Sequence, residues 1–80
     1  MRLDKFLKVS RIIKRRTVAR DFADNDRVTV NDRIAKPSTE VKVGDIITIR
    51  VGSRMNTYQI ISIQESVKTA EAKDMYKVIE

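Results

Sequence analysis

Apolar side chains recur at helical spacing through the first quarter of the chain. On a wheel of about 100° per residue, Leu3, Phe6 and Leu7 fall on one face, which predicts a helix from Arg2 to Ser10. A short connection then leads to a second predicted helix, Arg15 to Asp24. The expected apolar face of this second helix has four members: Val18, Ala19, Phe22 and Ala23.

From residue 28 onward the apolar and polar residues alternate, as is typical of strands with one buried face. Asn31 and Asp32 predict a tight turn because both residue types accept positive φ, and Gly44 and Asp45 predict a second turn. A polar loop is expected over 52–56. The predicted strands are Val28–Val30, Ile34–Ala35, Ile46–Val51 and Tyr58–Ile63.

The C-terminal segment favours a short helix from about Thr69 to Val78, with Thr69 as its N-cap. The residues expected to pack from this helix are Ala70, Ala72, Met75 and Tyr76. The pattern therefore predicts an α+β protein, in which a helix-loop-helix packs on a small antiparallel sheet and a short C-terminal helix follows.

The charge distribution adds a functional prediction. A chain of 80 residues allows one domain with a small core, so we expect a compact module that works through its outer surface. The net charge is +6, but residues 1–20 hold eight basic residues and one acidic residue, a net +7, whereas residues 21–80 hold nine and ten, a net −1. A one-sided basic surface is typical of proteins that bind polyanions.

The composition argues against catalysis and metal binding. There is no cysteine and no histidine, which removes thiolate chemistry, the commonest metal ligand and the commonest general base. The two glycines form no phosphate-binding loop, and turn chemistry explains the Asn-Asp pairs better than calcium does. No cofactor or metal is expected. The charged N-terminus and the absence of long apolar runs predict a soluble cytoplasmic protein that does not enter membranes.

The basic residues of the first quarter form the candidate RNA-binding site. A solvated face that keeps the protein soluble is the simplest interpretation of a charged helix, but here one sign of charge extends over two helices and their loop. Arginine forks suit phosphate, and charges on both helices suit an irregular RNA surface better than a DNA major groove. The candidates are Arg2, Lys5, Lys8, Arg11, Lys14, Arg15, Arg16 and Arg20.

Five segments of the chain resemble the ribosomal-protein-S-four-type RNA-binding domain, in which a helix-loop-helix and a hairpin form the alpha-L motif. They are Arg2-Leu3-Asp4-Lys5-Phe6-Leu7, Ser10-Arg11, Lys14-Arg15-Arg16, Arg27-Val28-Thr29-Val30-Asn31-Asp32 and Val43-Gly44-Asp45-Ile46. The resemblance predicts an alpha-L RNA-binding domain over 1–52 and a strand and helix extension of the same domain over 53–80. Asp26 and Asp32 stand where the family usually has glycine, and Asp tolerates such turns.

Within that family the chain is similar to the stand-alone RqcP-type members, which are related to the heat-shock protein of fifteen kilodaltons. The similar segments are 1–11, 13–17 and 71–78. The resemblance implies a non-catalytic factor of bacterial ribosome-associated quality control. Such a factor binds rRNA and peptidyl-tRNA on obstructed large ribosomal subunits and supports C-terminal alanine tailing by an RqcH-type partner. A monomer is expected.

Three other functions stay open from the residues themselves. A general structured-RNA binder or ribosome assembly factor uses the same face without needing peptidyl-tRNA. A detached recognition domain of an RNA-modifying enzyme requires a catalytic domain elsewhere. A protein-interaction module uses Tyr58, Met75 and Tyr76 as contacts, and its binding is insensitive to salt and to charge reversal at Arg16.

Overall fold

Three helices and a five-stranded antiparallel sheet make up the computed structural model, which describes residues 1–79. Glu80, the last residue of the predicted 53–80 extension, lies outside the described residues. The sheet has the order β2-β1-β3-β4-β5. The elements are α1 Leu3–Val9, α2 Arg16–Asp24, β1 Val28–Val30, β2 Arg33–Ile34, β3 Ile46–Val51, β4 Arg54–Ile60, α3 Thr69–Ala72 and β5 Tyr76–Val78. The predicted α+β class is confirmed.

The hydrophobic core joins the two N-terminal helices to one face of the sheet. Helix α2 is buried through the small residues Ala19 and Ala23, and small side chains allow a neighbouring helix to approach closely. Phe22 is half-buried and packs against the core as predicted, whereas Val18 is 37% exposed, so the predicted apolar face of α2 is too wide by one residue. The other principal core residues are Leu3, Phe6, Leu7, Val28, Val30, Ile47, Ile49 and Ile60.

Asparagine and aspartate occupy the turns in the left-handed conformation. Asp26, Asn31 and Asp32 have φ values of 59°, 53° and 67°, in the region where glycine is usually favoured. The Asn31 side chain donates to Asp45 Oδ1 at 3.1 Å and accepts from the Ile46 backbone amide at 2.9 Å. The predicted turn between β1 and β2 is confirmed, and its side chain also ties it to the start of β3.

The predicted polar loop over 52–56 is wrong in extent. Arg50 pairs with Met55 and Val51 pairs with Arg54, so only two residues separate β3 from β4. Polar side chains are compatible with a strand where the sheet faces water, so the polar residues of this hairpin indicated solvent exposure and were wrongly interpreted as a loop. Strand β4 also ends at Ile60, three residues before the predicted end.

The predicted terminal helix is wrong after Ala72. A 3₁₀ turn over Lys73–Met75 leads into β5, which pairs with β4. The free edge of β4 offers backbone hydrogen bonds that override the local helical preference of this segment. The N-cap residue of α3 is Lys68, one position before the predicted Thr69.

The packing predicted for the C-terminal segment is partly correct. Ala72 and Met75 are fully buried, and Tyr76 is half-buried with its ring edge-to-face to Tyr58 at 5.4 Å between centroids. Ala70 is exposed, contrary to the prediction, because α3 is a single helical turn and Ala70 lies on its solvent-facing side.

Candidate nucleic-acid interface

Seven of the eight predicted RNA-binding residues are exposed, and Lys5 is half-buried. The positions of the elements separate them into groups. Arg2, Arg16 and Arg20 meet at a cleft, whereas Lys8 and Arg11 line a different groove. The remaining exposed candidates, Lys14 and Arg15, lie on the connection between α1 and α2.

The cleft has a volume of about 370 Å³ and is lined by Arg2, Asp4, Arg16, Thr17 and Arg20. We call it the arginine cleft. Arg16 and Arg20 are four residues apart on α2, so their side chains lie on the same face of the helix. Three guanidinium groups and one carboxylate leave the lining with a net charge of +2. A concave surface of this charge attracts anions.

Asp4 holds the arginine cleft together. Its side chain is 1% exposed and accepts hydrogen bonds from Arg2 Nε at 3.2 Å, Arg2 Nη2 at 3.3 Å and Arg16 Nη2 at 3.4 Å. The backbone amide of Lys5 donates to the same carboxylate at 2.8 Å. A guanidinium has five N–H donors, so both arginines keep donors for an external anion while Asp4 restricts their orientation.

The Asp4 carboxyl remains ionised despite its burial. Burial alone would raise its pKa, but the hydrogen bond and charge of Arg16, the amide of Lys5 and the charge of Arg2 outweigh it. The pKa of Asp4 therefore lies below its ordinary value of 3.8. The two guanidinium groups are consequently oriented by a fixed negative charge at neutral pH.

Acidic residues limit the cleft on one side. Asp21 and Asp24 line an adjoining cavity of about 260 Å³ together with Thr17 and Arg20. The carboxylates reduce the positive potential beside Arg20. The arginines of the cleft whose orientation is fixed by hydrogen bonds are Arg2 and Arg16, which share Asp4.

The segment after β4 shields part of the basic face of α1. Glu65 forms an ion pair with Lys5, and that hydrogen bond and charge hold the pKa of the Glu65 carboxyl below its usual value. Glu65 also lines the groove of about 80 Å³ that contains Lys8 and Arg11. Arg11 has φ 64°, the left-handed position that ends α1, where glycine is more usual.

Asp4, Thr17 and Glu65 also line the site, but they were not predicted from the sequence. Asp4 is the single acid among residues 1–20, next to a core leucine, and that isolation is a signal for a buried ion pair. Glu65 offers no such signal, because it is 60 residues from Lys5 along the chain.

No three potential metal ligands lie together among residues 1–79. Within the same residues, no helix is both long and apolar enough to cross a membrane.

Comparison with known proteins places these features in a family. The family model described as the S4 domain matches residues 1–47. A protein of Bacillus subtilis named RQC P-site tRNA stabilizing factor is 48% identical over 79 residues, which cover 99% of this chain and 92% of that protein.

Two further relatives have a different name. A heat shock protein 15 homolog of Haemophilus influenzae is 32% identical over 81 residues, which cover all of this chain and 62% of that protein. The trimeric structure of heat shock protein 15 from Vibrio cholerae superposes with a TM-score of 0.89 at 35% identity, covering 99% of this chain and 81% of that one.

Proposed function

Because this chain belongs to the S4 domain family, we propose that it is a non-catalytic RNA-binding factor of bacterial ribosome-associated quality control. Relatives close to half identical over almost their whole length bear the name of RQC P-site tRNA stabilizing factors. In this proposal the chain acts in the cytoplasm, as a monomer, on obstructed large ribosomal subunits that carry peptidyl-tRNA. It supports alanine tailing by an RqcH-type factor.

The observation that carries the proposal is the arginine cleft. Two half-exposed guanidinium groups share one buried carboxylate, so they are oriented before any ligand arrives. Phosphate oxygens can replace water at their remaining donors without large rearrangement, and little side-chain entropy is then lost on binding. Such a site suits the RNA backbone, which presents phosphates at fixed spacing.

The proposed mechanism is positional, and no bond is made or broken by this chain. The basic side chains of α1, α2 and their connection neutralise phosphates of rRNA and tRNA. If the factor binds more tightly when the tRNA occupies its elongation-competent place, it shifts the population toward that place. The sheet contributes by holding α1 and α2 at a constant angle.

Co-sedimentation with purified large ribosomal subunits, with and without peptidyl-tRNA, tests the proposal. The variants are Arg2→Ala and Arg16→Ala, and Arg33→Ala is the matched control, an exposed arginine of β2 outside the cleft. We expect binding that requires peptidyl-tRNA. Each cleft variant should lose roughly one unit of the slope of log affinity against log salt, while the control keeps it.

Other results separate the alternatives. Equal binding to empty subunits indicates a general rRNA binder or assembly factor, and the quality-control role is then wrong. Binding that survives both cleft variants, or that is insensitive to salt, means that the arginine cleft is only a solvated surface.

A further inference from the structure

One face of the sheet carries none of the buried side chains of residues 1–79. Val28 and Ile49 point into the core together with α1 and α2, so the residues that alternate with them along β1 and β3 point to the other side. We call that side of the sheet the outer face. Its middle row crosses four strands, each residue being the register partner of the next: Ile34, Thr29, Thr48 and Thr57.

Two shorter rows flank the middle one. Arg50 and Met55 are partners on one side of it, and Gln59 pairs with both Ile46 and Lys77 on the other. Neither of the two basic residues forms an ion pair within residues 1–79, and none of the described positions on this face holds an acidic residue. The outer face therefore combines apolar side chains, threonine methyl groups and two positive charges.

The size of the outer face limits what can cover it. The sheet has five strands, and β3 has six residues. With strands about 4.8 Å apart and a rise of about 3.3 Å per residue, the face measures roughly 20 by 20 Å, or about 400 Å². A standard protein–protein interface buries about 800 Å² on each partner, so this face is too small for a stable dimer of the chain. Its positive charges also repel a second copy. It fits one segment of a different protein.

RNA suits the outer face less well than protein does. A sheet that binds RNA stacks bases on aromatic side chains, but both tyrosines of the chain pair with the core residues Ile47 and Ile60 and belong to the opposite face. Ile34 and Met55 are more than half exposed, and burying such apolar surface favours association with protein. The two basic residues then select a partner that has acidic residues at matching positions.

We propose that the outer face is a docking surface for a protein partner in the ribosomal complex, which contributes one segment of apolar side chains flanked by acidic ones. The inference rests on the proposed function. The arginine cleft is formed at α1 and α2, and these helices pack on the other face of the sheet, so RNA and a protein can be bound at the same time. A factor that binds RNA through its helices and supports a tailing factor uses the outer face for the second contact.

Two arginines of the β3–β4 hairpin provide a matched test. Arg50 lies on the outer face, whereas Arg54 is the partner of Val51 and lies on the opposite face, and both arginines are exposed. The probe is a purified RqcH-type tailing factor, whose Kd is measured for large subunits that carry peptidyl-tRNA and are saturated with this chain. Arg50→Glu and Arg54→Glu change the net charge equally. We expect Arg50→Glu to weaken binding of the tailing factor about tenfold and Arg54→Glu to leave it unchanged.

Met55→Asp and Val51→Asp repeat the comparison with apolar residues, which are 57% and 47% exposed on opposite faces of the same hairpin. We expect weaker binding of the tailing factor in Met55→Asp alone. Equal effects of the two members of either pair, or no effect of the outer member, overturn the docking surface.

Sedimentation of each variant with the same subunits, without the tailing factor, keeps the two proposals separable. If Arg50→Glu binds these subunits more weakly than Arg54→Glu does, the outer face contacts RNA, and the docking surface is overturned while the proposed function stands. If the parent chain itself does not require peptidyl-tRNA for binding, the proposed function fails, whatever the hairpin variants do. Equal binding of the two arginine variants to the subunits, with a loss of the tailing factor in Arg50→Glu alone, supports the docking surface.

Discussion

Asp4→Asn removes one buried negative charge and leaves the size of the side chain almost unchanged. The substitution keeps an oxygen for the Lys5 amide but takes the counter-charge from Arg2 and Arg16. Breaking a buried ion pair by removing one partner typically costs about 3–5 kcal/mol. Here the two arginine side chains are 48% and 45% exposed, so water compensates in part. We expect a loss of about 1–3 kcal/mol in unfolding free energy.

Thermal and urea unfolding at neutral pH measure this loss. For a domain of this size, each kcal/mol lowers Tm by roughly 4–8 °C. Asp26→Asn is the matched control, because Asp26 makes an ion pair with Lys36 at 3.1 Å in which both side chains are more than half exposed. Asparagine accepts the positive φ of that position equally well, so the control should stay within about 0.5 kcal/mol of the parent.

The pH dependence provides a second readout of the same charge. The pKa of Asp4 is lower in the folded protein than its ordinary value of 3.8, so its contribution to stability is fully present above that value. It is lost as the pH falls through the folded pKa. The parent and Asp4→Asn should therefore converge in stability at acid pH. Equal losses in Asp4→Asn and Asp26→Asn, or no convergence, refute the reasoning.

Glu65→Gln releases Lys5 from its ion pair and should raise the salt slope of large-subunit binding by up to about one unit. The control Glu71→Gln replaces another exposed acid and should leave the slope unchanged, so equal slopes in the two variants contradict the prediction. Asn31→Ala removes two hydrogen bonds and places alanine at φ 53°, so urea titration should show a loss of about 2 kcal/mol, and unchanged stability contradicts the turn's role. Tyr76→Ala removes the ring contact to β4 and should make amide exchange fast in β5 but not in β3, and continued protection of β5 contradicts it.

Local properties of the sequence determined much of this protein. The spacing of Leu3, Phe6 and Leu7 predicted α1 to within one residue at each end, because a helix places such positions on one face whatever lies opposite. Asn31 and Asp32 predicted a turn, because few residues accept positive φ. The basic excess of residues 1–20 was visible without coordinates, because those residues are consecutive.

Tertiary structure alone decided the features that join distant segments. Residues 76–78 became a strand and not a helix because the edge of β4 supplied hydrogen bonds, and differences in helix propensity, up to about 0.7 kcal/mol per residue, are small beside that pairing. Five of the eight basic candidates were divided between a cleft and a groove by the packing of α1 on α2 and by Glu65. Contacts of this kind depend on which chain segments meet in space, and a local pattern carries no record of its remote partner.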